Sequence, residues 1–113
     1  MGHAAHAMTP WQGSGASQAI EDALVLSTLL AQIRDVSELD NAFQAYDTVR
    51  RPRGQAIIAS SKITGQILCG RSKAGLDPAK LRGALAPRWK FIHGLDMEDH
   101  KAEALAAFAA LKK

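Results

Sequence analysis

The side chains that could do chemistry gather at the start of the chain, in "GHAAHAMTPWQGSGASQAIED". His3 and His6 stand at an i, i+3 spacing, which would put two imidazoles on one helical face. Imidazole titrates near neutral pH, so either one could act as a general acid or base. A zinc site would need a third ligand, and no neighbouring Cys or Asp supplies it, so no metal is expected. The plain structural alternative packs one histidine in the loop and leaves the other in water. Ser14 and Ser17 lie near these histidines, but no strand–turn–helix elbow surrounds them, which argues against a serine hydrolase. Glu21 and Asp22 are adjacent, so they leave a helix in different directions and cannot form a facing carboxylate pair. Their expected role is to favour the positive end of the helix they begin.

The loop "PWQGSGAS" is punctuated by Pro10, Gly13 and Gly15. It delivers backbone N–H groups at a helix N-terminus, an arrangement that binds negative oxygens. Trp11 in this loop and Trp89 further on could line an aromatic substrate pocket, or serve as ordinary core. Arg50, Arg51 and Arg53 are the one tight basic cluster. They could clamp an anion, although a solvated face is the ordinary reading of such a run.

Helices must position these groups. Ser14 or Ser17 caps a helix expected over 17–34. Ile20, Ala23, Leu24 and Ala31 share one face of it, and Leu26, Leu29, Leu30 and Ile33 form a second stripe, so burial on more than one side is expected. Ser37 reads as the next N-cap, with a long helix over 38–69, bent near Pro52 and ended by Gly70. Asp77 with Pro78 starts a short helix, "APRWKFIHG" repeats that logic on a small scale, and Asp96 caps a final one. No sustained polar–apolar alternation exists. The pattern predicts an all-α fold of four to six helices. It forms one helical domain over 1–113: a loop over 1–16, helices over 17–34 and 38–69, and short helices with a C-terminal helix over 77–113.

A chain of 113 residues, 47% hydrophobic and 22% charged, suits one globular domain. The net charge of +3 is scattered and aromatics are only 5%, which argues against nucleic-acid binding. The longest apolar pattern, 19–33, is broken by Glu21 and Asp22, so no membrane span is expected. One cysteine, Cys69, rules out an internal disulfide and fits a reducing, cytoplasmic setting.

With those residues in view, "GHAAHAMTPWQGSGASQAIEDALVLSTLL" resembles the second flavin-contacting motif of the FAD-dependent aromatic hydroxylases, the single-component monooxygenases of the salicylate and para-hydroxybenzoate hydroxylase type. Their motif runs Gly-Asp-Ala-Ala-His, Pro, Gly-x-Gly, then an Ile-Glu-Asp-Ala helix. "AYDTVRRPR" and "GLDPAKLRGALAPRWKFIHGLDMEDHKAEAL" extend the likeness over essentially the whole chain, the latter in the manner of fungal secondary metabolism. The resemblance implies FAD contacts at His3, Pro10, Gly13, Gly15, Ala16 and Ser17. Two departures stand out. The family's ribityl-binding acid is His3 here, and an imidazole cannot accept two hydroxyl hydrogen bonds. The G-x-G-x-x-G turn that grips the dinucleotide is not in this sequence.

These departures lead to the expectation of a truncated relative of the monooxygenases that holds no cofactor alone. FAD would bind only if a partner or an oligomer completes the site. A homodimer or higher homo-oligomer would cover the apolar first helix. In that state the chain could hold a small aromatic or polyketide-like molecule and act as a cofactor-free cyclase, isomerase or dehydratase through His3 and His6, with Trp11 at the pocket. The alternatives are one piece of a working FAD-dependent aromatic monooxygenase completed by another chain, and a non-catalytic binding or scaffold protein.

Overall fold

The computed structural model describes residues 1–112, and every regular element among them is helical. α1 is a single turn, His3–His6, and a 3-10 turn follows at Pro10–Gln12. α2 spans Gly15–Leu30 and α3 spans Leu39–Leu68, with a 3-10 turn, Val36–Glu38, between them. α4 (Pro78–Leu85), a 3-10 turn (Ala86–Trp89), α5 (Lys90–His93) and α6 (Met97–Leu111) complete the chain. The all-α expectation of four to six helices holds, with 3-10 turns joining them.

Several stop and start signals act as the sequence predicts. Asp77 accepts from Lys80 N–H, Pro78 opens α4, and Asp96 accepts from Glu98 and Asp99 N–H. Gly70, at φ 73°, closes α3 in a Schellman motif: Arg71 N–H donates to Gln66 C=O and Gly70 N–H to Ile67 C=O.

Other signals act differently. Asp35, not Ser37, is the capping side chain, accepting from Ser37 N–H ahead of the 3-10 turn. α2 starts at Gly15 and ends at Leu30 rather than running over 17–34. Beyond it Gln32 and Ile33 N–H make tighter i→i−3 bonds, and Glu38 takes Arg34 N–H. The 1–16 segment, expected to be loop, contains α1 and a 3-10 turn. α3 runs through Pro52 as one helix, the ring depriving only Thr48 C=O of its i+4 donor.

The apolar core is a three-helix contact of Val25 and Leu29 from α2, Ala42 and Ala45 from α3, and Ala104 and Phe108 from α6. Alanine on α3 and α6 lets the backbones approach. α2 buries one face only, Gln18, Asp22, Val25 and Leu29, because α3 and α6 lie on the same side of it. The stripe of Ile20 and Leu24, expected to be covered, points outward at 63% and 44% exposure. The protein is a rod of 57 × 24 × 19 Å. Its accessible surface of 7085 Å² exceeds the roughly 6,000 Å² of a compact globule of 12.1 kDa.

Candidate functional site

The polar residues of α2's buried face meet the start of the chain. Gly2, at φ 63° and ψ −148°, adopts a conformation open essentially to glycine, and its N–H donates to Asp22 Oδ2 at 2.8 Å. His6 Nε2 lies 2.6 Å from the same oxygen. Asp22 Oδ1 accepts from Arg50 Nε at 2.7 Å. Arg50 Nη2 donates to Gln18 C=O and Oε1, and lies 3.2 Å from Glu21 Oε2. Arg50 Nη1 is 3.1 Å from His100 Nε2 on α6. Arg53 binds both Glu21 oxygens and donates to the C=O groups of Phe91 and Ile92. The cluster thus joins α1, α2, α3, α5 and α6.

Burial and charge oppose each other here. Burial pushes the Asp22 carboxyl up, but Arg50, Gly2 N–H and His6 outweigh it and hold it below its ordinary value. Burial likewise pushes Glu21 up, and Arg53 and Arg50 bring it below. Burial and the Arg50 charge lower His100, which favours neutral imidazole as acceptor from Arg50. Tyr46, half-buried near Asp22, is pushed up to about 12.

This corrects two sequence expectations. Glu21 and Asp22 are not dipole decorations; they are the anionic partners of a buried cluster. Arg50 and Arg53 do clamp anions, and the anions belong to this chain. Only Arg51 is a solvated residue, paired with Asp47.

The N-terminus of α2 is the second part of the site. Its first intrahelical bond runs from Gln18 N–H to Ser14 C=O, so Gly15, Ala16 and Ser17 N–H precede the ladder. No side chain caps them: Ser14 Oγ turns to Gln12 C=O and Ser17 Oγ to Ser14 C=O. Beside this end lies a cavity of about 240 Å³ lined by His3, His6, Met8, Gly15, Ala16 and Ala19. A Cβ built on Gly15 would meet open space.

The 3-10 turn beyond it is locked onto α3. Thr9 C=O accepts from Ser61 Oγ, and Trp11 lays its ring against Gly65, where a Cβ would collide with it. Gln12 Nε2 donates to Arg88 C=O, and Trp89 Nε1 donates back to Gln12 C=O. Arg88 in turn donates to Thr64 Oγ1 and Ser60.

Of the sequence candidates, His3, His6, Gly15 and Ala16 therefore share one cavity. His3 is exposed; His6 is buried and tied to Asp22. Gly13, left-handed at φ 64°, closes the 3-10 turn begun by Pro10, and Ser17 sits in the first turn of α2. These three and Trp11 do not line that cavity; Trp11 borders a separate groove of about 310 Å³ with Thr9, Lys62, Gln66, Cys69 and Arg71. No cluster of metal-ligating side chains occurs among the described residues. Sequence reasoning missed Gln18, Asp22, Arg50 and His100 as one unit. A signal was present: Gln18 and Asp22 fall on the same helical face as Val25 and Leu29.

By its geometry the chain is a helical unit presenting an uncapped helix N-terminus beside a small cavity. Residues 1–61, more than half the chain, match the family described as FAD binding domain, and the chain belongs to that family. It is 39% identical over 110 residues to 6-methylsalicylate 1-monooxygenase atA of Aspergillus terreus, covering 96% of this chain and 25% of that protein. It is 38% identical over 108 residues to a salicylate hydroxylase of Pseudomonas putida, covering 94% and 25%. A solved salicylate hydroxylase substrate complex superposes with a TM-score of 0.86 at 34% identity, covering 92% of this chain and 26% of that one. The chain thus spans about a quarter of the length of the relatives it matches.

Proposed function

We propose that this chain forms the flavin-facing helical edge of an FAD-dependent aromatic monooxygenase, and that FAD is held only where a polypeptide carrying the dinucleotide fold completes the site. The observation that carries the reading is the N-terminus of α2: three unengaged N–H groups, no side-chain cap, and open space beyond Gly15. That edge fits an anionic ring oxygen of the cofactor, and Gly15, Ala16 and Ser17 would hold it by N–H donation and helix dipole. Pro10 and Gly13 would run beside the ring in a turn stiffened by Trp11 on Gly65. His3 would face the ribityl chain with one donor and one acceptor in place of a carboxylate. Bound flavin supplies the activation of oxygen for aromatic hydroxylation. The proposed location is the cytoplasm; no helix among the described residues is long and apolar enough to cross a membrane.

The test is a chimera in which these 113 residues replace the matching quarter of the Pseudomonas putida salicylate hydroxylase. The expected result is a folded chimera that retains FAD by absorbance, with His3→Asp tightening binding about tenfold. A folded chimera that binds no FAD with either residue at position 3 overturns the reading.

A second reading is a cofactor-free acid–base enzyme or binder of small aromatics, assembled as a homo-oligomer over the outward Ile20–Leu24 stripe. It is favoured by the His6–Asp22 pair at 2.6 Å, since a carboxylate behind an imidazole is a way to orient a general base. Saturable binding of salicylate to the FAD-free chain, abolished in His3→Ala, would support it. No binding removes it.

A further inference from the structure

A fully buried carboxylate with three donors is an unusual object on a helix face that it shares with Val25 and Leu29. Asp22 is 0% exposed, as is Gln18, and Arg50 is 3% exposed. Isosteric apolar side chains at such positions generally give equal or greater stability, so what a buried ion cluster supplies is a defined arrangement. The arrangement here is specific. One oxygen, Oδ2, receives both ends of the α1 turn, Gly2 N–H at 2.8 Å and His6 Nε2 at 2.6 Å. The other, Oδ1, is fixed by Arg50, which is itself held by Gln18, Glu21 and His100. α1 is only four residues long and buries only His6, so it has no apolar anchor of its own. His3 lies between the two tethered points and lines the cavity at the N-terminus of α2.

We infer that Asp22 is the positioning residue of the site: by pinning Gly2 and His6 to one carboxylate oxygen, it sets where His3 stands relative to the N-terminus of α2. The functional half of this statement rests on the flavin-edge reading above; the tethering of the turn does not. Glu21 provides an internal control. It belongs to the same cluster through Arg50 and Arg53, but its carboxylate is engaged by those two side chains and not by residues 2–6.

Two measurements test the inference. The first is amide hydrogen exchange by NMR on the full chain, comparing Asp22→Asn with Glu21→Gln. Asparagine keeps the size but turns one acceptor into a donor. In Asp22→Asn, the Ala5 and His6 amides should exchange more than about tenfold faster relative to those of Val25 and Ala45, with less than about threefold change in Glu21→Gln. Equal change in both variants, or none in Asp22→Asn, overturns the inference. The second places both substitutions in the salicylate hydroxylase chimera. Asp22→Asn should weaken FAD at least about tenfold and alter the visible circular dichroism of the bound flavin, while Glu21→Gln leaves that spectrum unchanged. A loosened turn with unaltered FAD affinity and spectrum overturns the functional half. A parent chimera without FAD overturns the flavin-edge reading and the functional half with it, and exchange alone then decides the tethering.

Discussion

In the C-terminal half of α2, Val25 and Leu29 meet Ala42, Ala45, Ala104 and Phe108. In the N-terminal half, Gln18 and Asp22 occupy the same face and meet Arg50, His6 and a backbone amide. All four side chains are fully buried on the face that α3 covers, yet the two pairs are held by opposite chemistry. The apolar half gains from area alone and tolerates small shifts, because dispersion is not directional. The polar half gains little net energy, and its worth depends on how its polar atoms are paired: the Asp22 carboxylate is fully engaged, whereas Gln18 Nε2 and His6 Nδ1 are buried without a hydrogen-bond partner. One helix thus carries a general-purpose anchor at one end and a geometry-setting device at the other, and the device lies next to the candidate site.

The comparison can be broken most sharply by emptying each half in turn. Asp22→Ala leaves Arg50 buried without its closest counter-charge and should destabilise by about 3–5 kcal/mol. Leu29→Ala opens an apolar cavity and should cost about 3 kcal/mol. Urea unfolding monitored by circular dichroism gives both values. If Asp22→Leu combined with Arg50→Met, which replaces the pair as a whole, proves as stable as the parent while the start of the chain loses protection, the polar half serves arrangement rather than stability.

A medium effect is expected from pH. His100 has a lowered folded pKa, so the unfolded chain takes up protons first, and stability should begin to fall as pH drops below about 6.5. Glu21 and Asp22 also have lowered folded values. Their contribution is complete above the ordinary carboxylate range near about pH 4, and is lost as pH falls through the lowered values. Urea midpoints taken down the pH scale should show a shallow and then a steep decline. Asp22→Asn should flatten the steep part, and Leu29→Ala should leave the shape unchanged.

The smallest effect sharpens the contrast within one basic run. Arg51→Ala removes an exposed i, i+4 pair with Asp47 and should change stability by about 0.5 kcal/mol or less. Arg50, its neighbour, holds the cluster. A large loss at Arg51 in the same unfolding assay would contradict the assignment of the cluster to Arg50 and Arg53.

Local signals were legible. Asp77 with Pro78, Gly70 and Asp96 all mark helix ends through contacts within a few residues. So was the likeness to flavin enzymes, since "GHAAHAMTPWQGSGAS" keeps its spacing. What escaped were partners 16, 28 and 50 residues apart: His6 with Asp22, Asp22 with Arg50, Arg50 with His100. Nothing local distinguishes a carboxylate at a helix start that decorates the dipole from one that turns inward to an arginine. The difference lies in which face α3 covers, and that follows only from packing. The outward stripe of Ile20 and Leu24 escaped for the same reason, because periodicity shows that a face is apolar and not what lies against it.

The elongated outline has a practical consequence in solution. A rod 57 Å long with a radius of gyration of 17.1 Å, against about 13 Å for a compact chain of this length, drags more water than its mass suggests. It should leave a gel-filtration column ahead of globular standards of 12.1 kDa, even as a single copy. Early elution is therefore the signature of its shape, and association would declare itself as a scattering mass of twice 12.1 kDa.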